Sequence, residues 1–187
     1  STSLHGSLAA SISMLVPAGL LASELPADIT ELSASKLSAA IRDRQVSCIE
    51  VMQAYLQRIE RYNPVYNAIV NLAEQDGLLD QARRADVALD NGECWGWMHG
   101  MPHAVKDLAN VEGMITTSGS RLYANRIATA DSSLVASVRG QGAIFIGKTN
   151  TPEFGLGSQT YNEVFGATGS AWNPALTAGG SSGGAAC

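Results

Sequence analysis

The chain has 187 residues, 45% of them hydrophobic and 16% charged, with a formal net charge of −5. That length suits one ordinary domain or part of a larger one, with enough apolar residues to bury a core. The acidic balance, with no Lys/Arg-rich stripe along the chain, excludes nucleic acid as a partner because phosphate binding needs excess positive charge.

Residues 1–24 stand apart from the rest. The stretch 8–22 is apolar, but Pro17 and Gly19 interrupt it and no basic residue precedes it. A secretory signal has a positive segment before its apolar run. The stretch is also too short and broken to cross a bilayer, which leaves a membrane out of the reading. It reads as a leader or arm packing on the body, with a trimmed export signal as the alternative. Cys48, Cys94 and Cys187 are too few and too scattered for a disulfide framework or a zinc site. Free thiols in a cytoplasmic setting fit them best, an exported form being the alternative. A cysteine nucleophile would need a histidine partner, and His5, His99 and His103 are the candidates, none singled out by its surroundings.

Residues 25–187 form one unit with neither repeat nor linker. A short helix is predicted over 33–44. Ser47 and Glu50 then make a capping box, the serine hydroxyl serving the third helical N–H while the glutamate reaches back. Met52, Tyr55, Leu56, Ile59 and Tyr62 recur at helical spacing as one apolar face, which stops at Asn63-Pro64. A strand over 68–72 follows, then an amphipathic helix over 78–89 closed by Asn91-Gly92. The run 103–108 is mostly apolar but carries Lys106 and Asp107. Asp131-Ser132 can cap a helix through Leu134, Val135 and Val138, and Ala143-Ile144-Phe145-Ile146 reads as a buried strand between glycines. Low charge and alternating helices and strands give a mixed α/β layered fold. The stretch 149–184, rich in Gly, Ser, Asn and Thr, is long for an idle loop and points to function.

Two pattern matches are weak. Gly142-Ala143-Ile144-Phe145-Ile146-Gly147-Lys148-Thr149 spells a P-loop. Its middle residues, however, are a strand and cannot also form a phosphate nest, and Pro152 and Gly155 spoil a following helix. Gly179-Gly180-Ser181-Ser182-Gly183 spells the nucleophile elbow of α/β-hydrolases, yet that turn must follow a buried strand and 173–178 is a poor one. Both remain as minor alternatives.

The stronger signal is a combination. Gly100-Met101-Pro102-His103-Ala104-Val105-Lys106-Asp107 sets a lysine in an apolar segment. Burial lowers a lysine pKa and favours the neutral amine, a usable base, although a surface Lys-Asp pair on an edge strand fits this segment equally well. Downstream come Gly147-Lys148-Thr149-Asn150-Thr151-Pro152-Glu153-Phe154-Gly155, then Asn162, Phe165-Gly166, Thr168 and Asn173-Pro174. The run closes on Gly179-Gly180-Ser181-Ser182-Gly183-Gly184, read as a tight turn opening a helix whose N–H groups favour negative charge near the serine oxygens.

These segments, in this order, resemble the amidase signature family over residues 32–187, most densely over 100–186. The resemblance implies an α/β/α fold with a mixed sheet between helix layers, incomplete in this chain. Residues 25–187 would be the N-terminal part of the domain. It also implies a Ser-Ser-Lys triad with Lys106 as base and Ser181 as the bridging serine, preceded by a cis peptide bond. The nucleophilic serine and the main oxyanion amides would lie beyond Cys187. Outside what the resemblance carries over, Ser182 is expected to hydrogen-bond within the turn, His103 to pack near the site rather than react, and Asp107 to orient backbone or lysine rather than act as an acid.

The expected partners are a small-molecule amide substrate and the remainder of the same polypeptide, with a homodimer left open and no metal or organic cofactor. The expected activity is hydrolysis of an amide, or of an ester or carbamate, through an acyl-serine. An amidotransferase subunit of the same family, working in a complex, is the alternative; a binding module with a degenerate site would follow only if the nucleophile were replaced. Met98, Trp95, Trp97 and Tyr161 are candidates for an apolar pocket, and equally for packing. By itself this chain is expected to be inactive and poorly folded.

Overall fold

The computed structural model describes residues 25–187, so the leader predicted over 1–24 lies outside the described residues. Helix α1 (Ala34–Arg42) begins where Ser33 Oγ accepts from Lys36 N at 3.4 Å, and it buries Leu37, Ala40 and Ile41. Helix α2 (Cys48–Tyr66) starts on the capping box expected from the sequence. Glu50 N donates to Ser47 Oγ at 3.2 Å and Ser47 N donates to Glu50 Oε2 at 2.9 Å. Such a cap is worth about 1 kcal/mol against alanine.

The end of α2 differs from the sequence prediction, because the helix runs through Pro64 to Tyr66. A proline in a helix removes the bond to the carbonyl four residues back. Here that carbonyl belongs to exposed Glu60, where water can take over. Asn67, in the left-handed region at φ 50°, then stops the helix and donates from its N–H to the Asn63 carbonyl at 2.7 Å. Tyr62 also departs from the predicted buried face. It is exposed, with the guanidinium groups of Arg58 and Arg61 5.3 and 5.1 Å from its ring centroid.

Strand β1 (Ile69–Val70) is shorter than predicted, since Asn71 turns to φ 48°. Asn63 ties it to α2: its Oδ1 accepts from Ala68 N and Ile69 N at 2.9 and 2.8 Å. Helix α3 (Gln75–Asp90) buries Leu78, Ala82, Ala85 and Ala88. Strand β2 (Pro102–Lys106), helix α4 (Ser133–Arg139) and strand β3 (Ile144–Thr149) follow. The capping role expected of Asp131-Ser132 is not taken up. Asp131 instead accepts from Arg139 Nε at 2.6 Å, while the Ser132 hydroxyl donates to the Asn110 carbonyl at 3.3 Å.

The three strands form a mixed sheet in the order β1-β3-β2, with β1 antiparallel and β2 parallel to β3. One core cluster joins α1, α2 and α3 to Ile144 and Ile146. A second joins Val105 and Phe145 to Val111 and to Val135 of α4. Helices thus cover both faces of the sheet, the α/β/α layering expected from the sequence. Strand β3 continues through Gly147, Lys148 and Thr149, all buried, so the P-loop match is sheet rather than phosphate nest.

The stretch 149–184 is ordered by a short hairpin, β4 (Tyr161–Asn162) with β5 (Gly166–Ala167), and ends in α5 (Gly183–Ala186). Residues 173–178 form no strand entering the Gly179 turn, which removes the elbow reading. Tyr55, Ile59, Ile69, Ala104 and Ile146 line a groove between α2 and the sheet that stays open to solvent.

Candidate active site

Lys106 is the last residue of β2, and its side chain leaves the sheet beside α5. Its Nζ stands 2.7 Å from Ser181 Oγ and 3.0 Å from Ser182 Oγ. The two serines come from the glycine turn, 75 and 76 residues downstream. The Gly180–Ser181 peptide bond is cis. Partial burial holds the Lys106 amine below the ordinary lysine range. A neutral amine at this distance can accept the Ser181 proton across the same contact through which a charged one donates.

A buried polar frame holds the turn. The Thr151 hydroxyl donates to the Ser181 carbonyl at 3.2 Å, and Gly183 N donates to Thr160 Oγ1 at 2.9 Å. Asn162 Nδ2 donates to Asn150 Oδ1 and to the Thr151 carbonyl, both at 2.7 Å. Asn150 Nδ2 donates to Thr168 Oγ1 at 3.0 Å, and the Thr168 hydroxyl donates to the Asn67 carbonyl at 2.7 Å. The chain from α2 to the serine turn is therefore continuous in hydrogen bonds. Asn150, Thr151, Thr160 and Thr168 are fully buried, where each unmade bond would cost about 1–3 kcal/mol.

Sequence reasoning flagged this stretch for its polarity but did not single out Thr151 or Thr160. What could have found Thr151 is its position two residues after the buried strand β3, where small hydroxyl residues reach backbone groups; Thr160, just before β4, carries no such local signal. Close packing also explains the glycines. A Cβ on Gly184 would run into Asn150 N and the Ala68 carbonyl oxygen, and one on Gly183 into the Thr160 side chain.

One expectation is not met. The N–H groups that open α5 do not face the serine oxygens. Gly183 N is held by Thr160, Gly184 N donates to the Asn150 carbonyl at 3.3 Å, and Ala185 N and Ala186 N return to Ser182 O. A four-residue helix has no room for more.

Asp107 is buried and accepts from Thr117 N at 3.1 and 3.2 Å and from the Thr117 hydroxyl. Burial pushes its carboxyl above the usual range, against the Thr117 bonds and the charge of Lys148. It orients backbone, as expected, and does not contact the Lys106 amine. His103 packs edge-on against Phe145, a member of the second core cluster, with ring centroids 5.5 Å apart.

Of the pocket candidates, Met98 is buried in the first core cluster and Trp95 stacks at 4.7 Å from His99, while Trp97 and Tyr161 are exposed. His99 spends both ring nitrogens on backbone: Nδ1 accepts from Trp95 N at 3.0 Å, and Nε2 donates to the Ala85 carbonyl at 2.9 Å. It is no base for a cysteine. Cys48 is fully buried in the first core cluster, out of reach of a substrate, and burial pushes its thiol up. His5 lies outside the described residues. Among the described residues, no cluster of three or more His, Cys, Asp or Glu side chains is placed to hold a metal ion. Nor is any described helix long and apolar enough to cross a membrane.

Residues 50–187 match the family model described as Amidase. A glutamyl-tRNA(Gln) amidotransferase subunit from Acidothermus cellulolyticus is 40% identical over 159 residues, covering 85% of this chain and 31% of that protein. An acylamidase from Rhodococcus erythropolis is 39% identical over 151 residues, 81% of this chain and 31% of the relative. Among solved structures, a bacterial aryl acylamidase of the amidase signature family superposes with a TM-score of 0.76 at 32% identity, covering 82% of this chain and 32% of that one. Native peptide amidase from Stenotrophomonas maltophilia superposes at 0.74 with 29% identity, over 82% of this chain and 33% of that one. The chain spans about a third of the length of the relatives it matches.

Proposed function

From the chain's membership of the amidase signature family, we propose that it supplies the base and bridging serine of an amide hydrolase, Lys106 and Ser181. The observation that carries the reading is the 2.7 Å contact between Lys106 Nζ and Ser181 Oγ, with burial lowering the pKa of the amine.

In this reading neutral Lys106 takes the hydroxyl proton of Ser181, which takes that of a nucleophilic serine beyond Cys187. The activated oxygen adds to the carbonyl carbon of the substrate, giving a tetrahedral intermediate. The same relay, run backwards, delivers the proton to the leaving nitrogen as the C–N bond breaks. Water then hydrolyses the acyl-serine through the same groups. The substrate is a small-molecule amide, and the side chains alone supply every proton transfer.

The pH dependence tests this directly. Protonated Lys106 cannot accept, so kcat/KM of the natural full-length protein is expected to fall as pH drops through the Lys106 pKa and to level off above it. That limb should lie below the ordinary lysine value of about 10.4. It should vanish in Lys106→Ala; an identical limb in that variant would assign the titration to another group.

A second reading has its own support, the 40% identity to an amidotransferase component. Such a protein would cleave glutamine with the same relay and pass ammonia to a partner. Glutaminase activity that appears only when the protein is isolated with bound partner chains would favour it. Steady turnover of simple amides by the protein alone favours the hydrolase.

A further inference from the structure

Among the described residues, the bulkiest side chain that is fully buried is a charged one, Lys148. Across the parallel ladder Lys148 pairs with Val105 and Thr149 with Lys106, so alternation puts the two lysines on opposite faces of the sheet. Lys148 does not touch the serines. Its amine donates to the Ala109 carbonyl and stands 3.8 Å from Asp107 Oδ1.

Those two contacts close the back of the turn that follows Lys106. In front, Ala109 N donates to the Lys106 carbonyl, Asp107 N to the Thr149 carbonyl and Ser118 N to the Asp107 carbonyl, each at 3.0 Å. Thr117 holds the Asp107 carboxylate from the far side. Packing alone does not call for a lysine here. Replacing a buried ion pair by apolar residues of similar volume is often neutral or stabilising, because it removes the cost of desolvating two charges. A methionine would fill the same space.

We infer that Lys148 is a positioning residue for the proton relay: with Asp107 it clamps the 106–109 turn and so holds the Lys106 amine against Ser181. The inference rests on the amide-hydrolysis reading above. It assigns a task to a lysine whose neighbours in sequence spell a nucleotide-binding pattern that the fold does not use.

The test is kinetic, on the natural full-length protein with a matched amide and ester. A misplacement on the scale of 1 Å costs about 100-fold in rate, so Lys148→Met should lower amide kcat/KM about 100-fold. Ester turnover, which depends less on proton delivery to the leaving group, should fall by about tenfold less. A loss of folded protein lowers both rates alike and leaves their ratio unchanged. On a Lys106→Ala background, where there is no amine left to position, Lys148→Met should change amide turnover by less than about twofold.

Thr117→Val, which removes the hydroxyl bond to Asp107 and keeps the backbone bond and both charges, should move the amide-to-ester ratio in the same direction. It carries the test if Lys148→Met does not fold. A wild-type ratio in either folded variant overturns the inference, as does a full additive loss on the Lys106→Ala background. An intact amide rate in Lys106→Ala alone overturns the hydrolysis reading and this inference with it.

Discussion

Lys106→Ala in the natural full-length protein is expected to lower amide kcat by about 10³–10⁴-fold, at the upper end of what one acid–base group supplies. Two losses combine. The Ser181 hydroxyl loses the only amine that faces it among the described residues, 2.7 Å away, so the nucleophile is no longer deprotonated. The leaving nitrogen also loses its proton source. An alkoxide leaves an ester without help, whereas an amine leaves an amide only once protonated, so ester turnover should fall far less. The check is kcat for an amide and an ester of one acyl group, measured for both proteins. Equal losses would mean that Lys106 only positions Ser181.

Ser181→Ala should cost nearly as much, about 10²–10⁴-fold on the amide, because it cuts the relay in the middle. Water in the vacated space would recover part of the transfer. Ser182→Ala provides the contrast: Ser182 lies 3.0 Å from the same amine but outside the proposed line of transfer. Its loss should stay within about tenfold, the scale of one hydrogen bond. Steady-state rates on purified variants decide the point, and equal effects at the two serines would break the assignment of the bridge to Ser181.

How much of this was legible in the sequence depended on whether the signal was local. The capping box at Ser47 and Glu50 was readable because both partners lie within one turn of helix. The α/β layering followed from the alternation of periods, whereas the mixed sheet and the Lys106 and Ser181 contact followed from the family resemblance. Pro64 misled because a proline forbids one hydrogen bond, not a helix, and the carbonyl it leaves without that bond belongs to an exposed residue, Glu60. Tyr62 misled because cations stack on its exposed ring, a choice that apolar spacing does not record.

The frame around the serine turn was hidden for a different reason. Thr151 and Ser181 are 30 residues apart, and Asn67 and Thr168 are 101 apart. Such pairs form only when α2, β3 and the hairpin come together, and no local period announces them. Lys148 was hidden by its own motif. In sequence it belonged to a phosphate-binding pattern, and only strand pairing placed it behind the Lys106 turn.

Trapping the acyl-enzyme tests the central claim most directly. The natural full-length protein would be mixed with a slowly turned-over amide or ester, quenched in acid, digested and mapped by mass spectrometry. The expected result is one acyl group on a serine beyond Cys187, which disappears or forms far more slowly in Lys106→Ala. An acyl group on Ser181, Ser182 or any cysteine, or none during steady turnover, would contradict it.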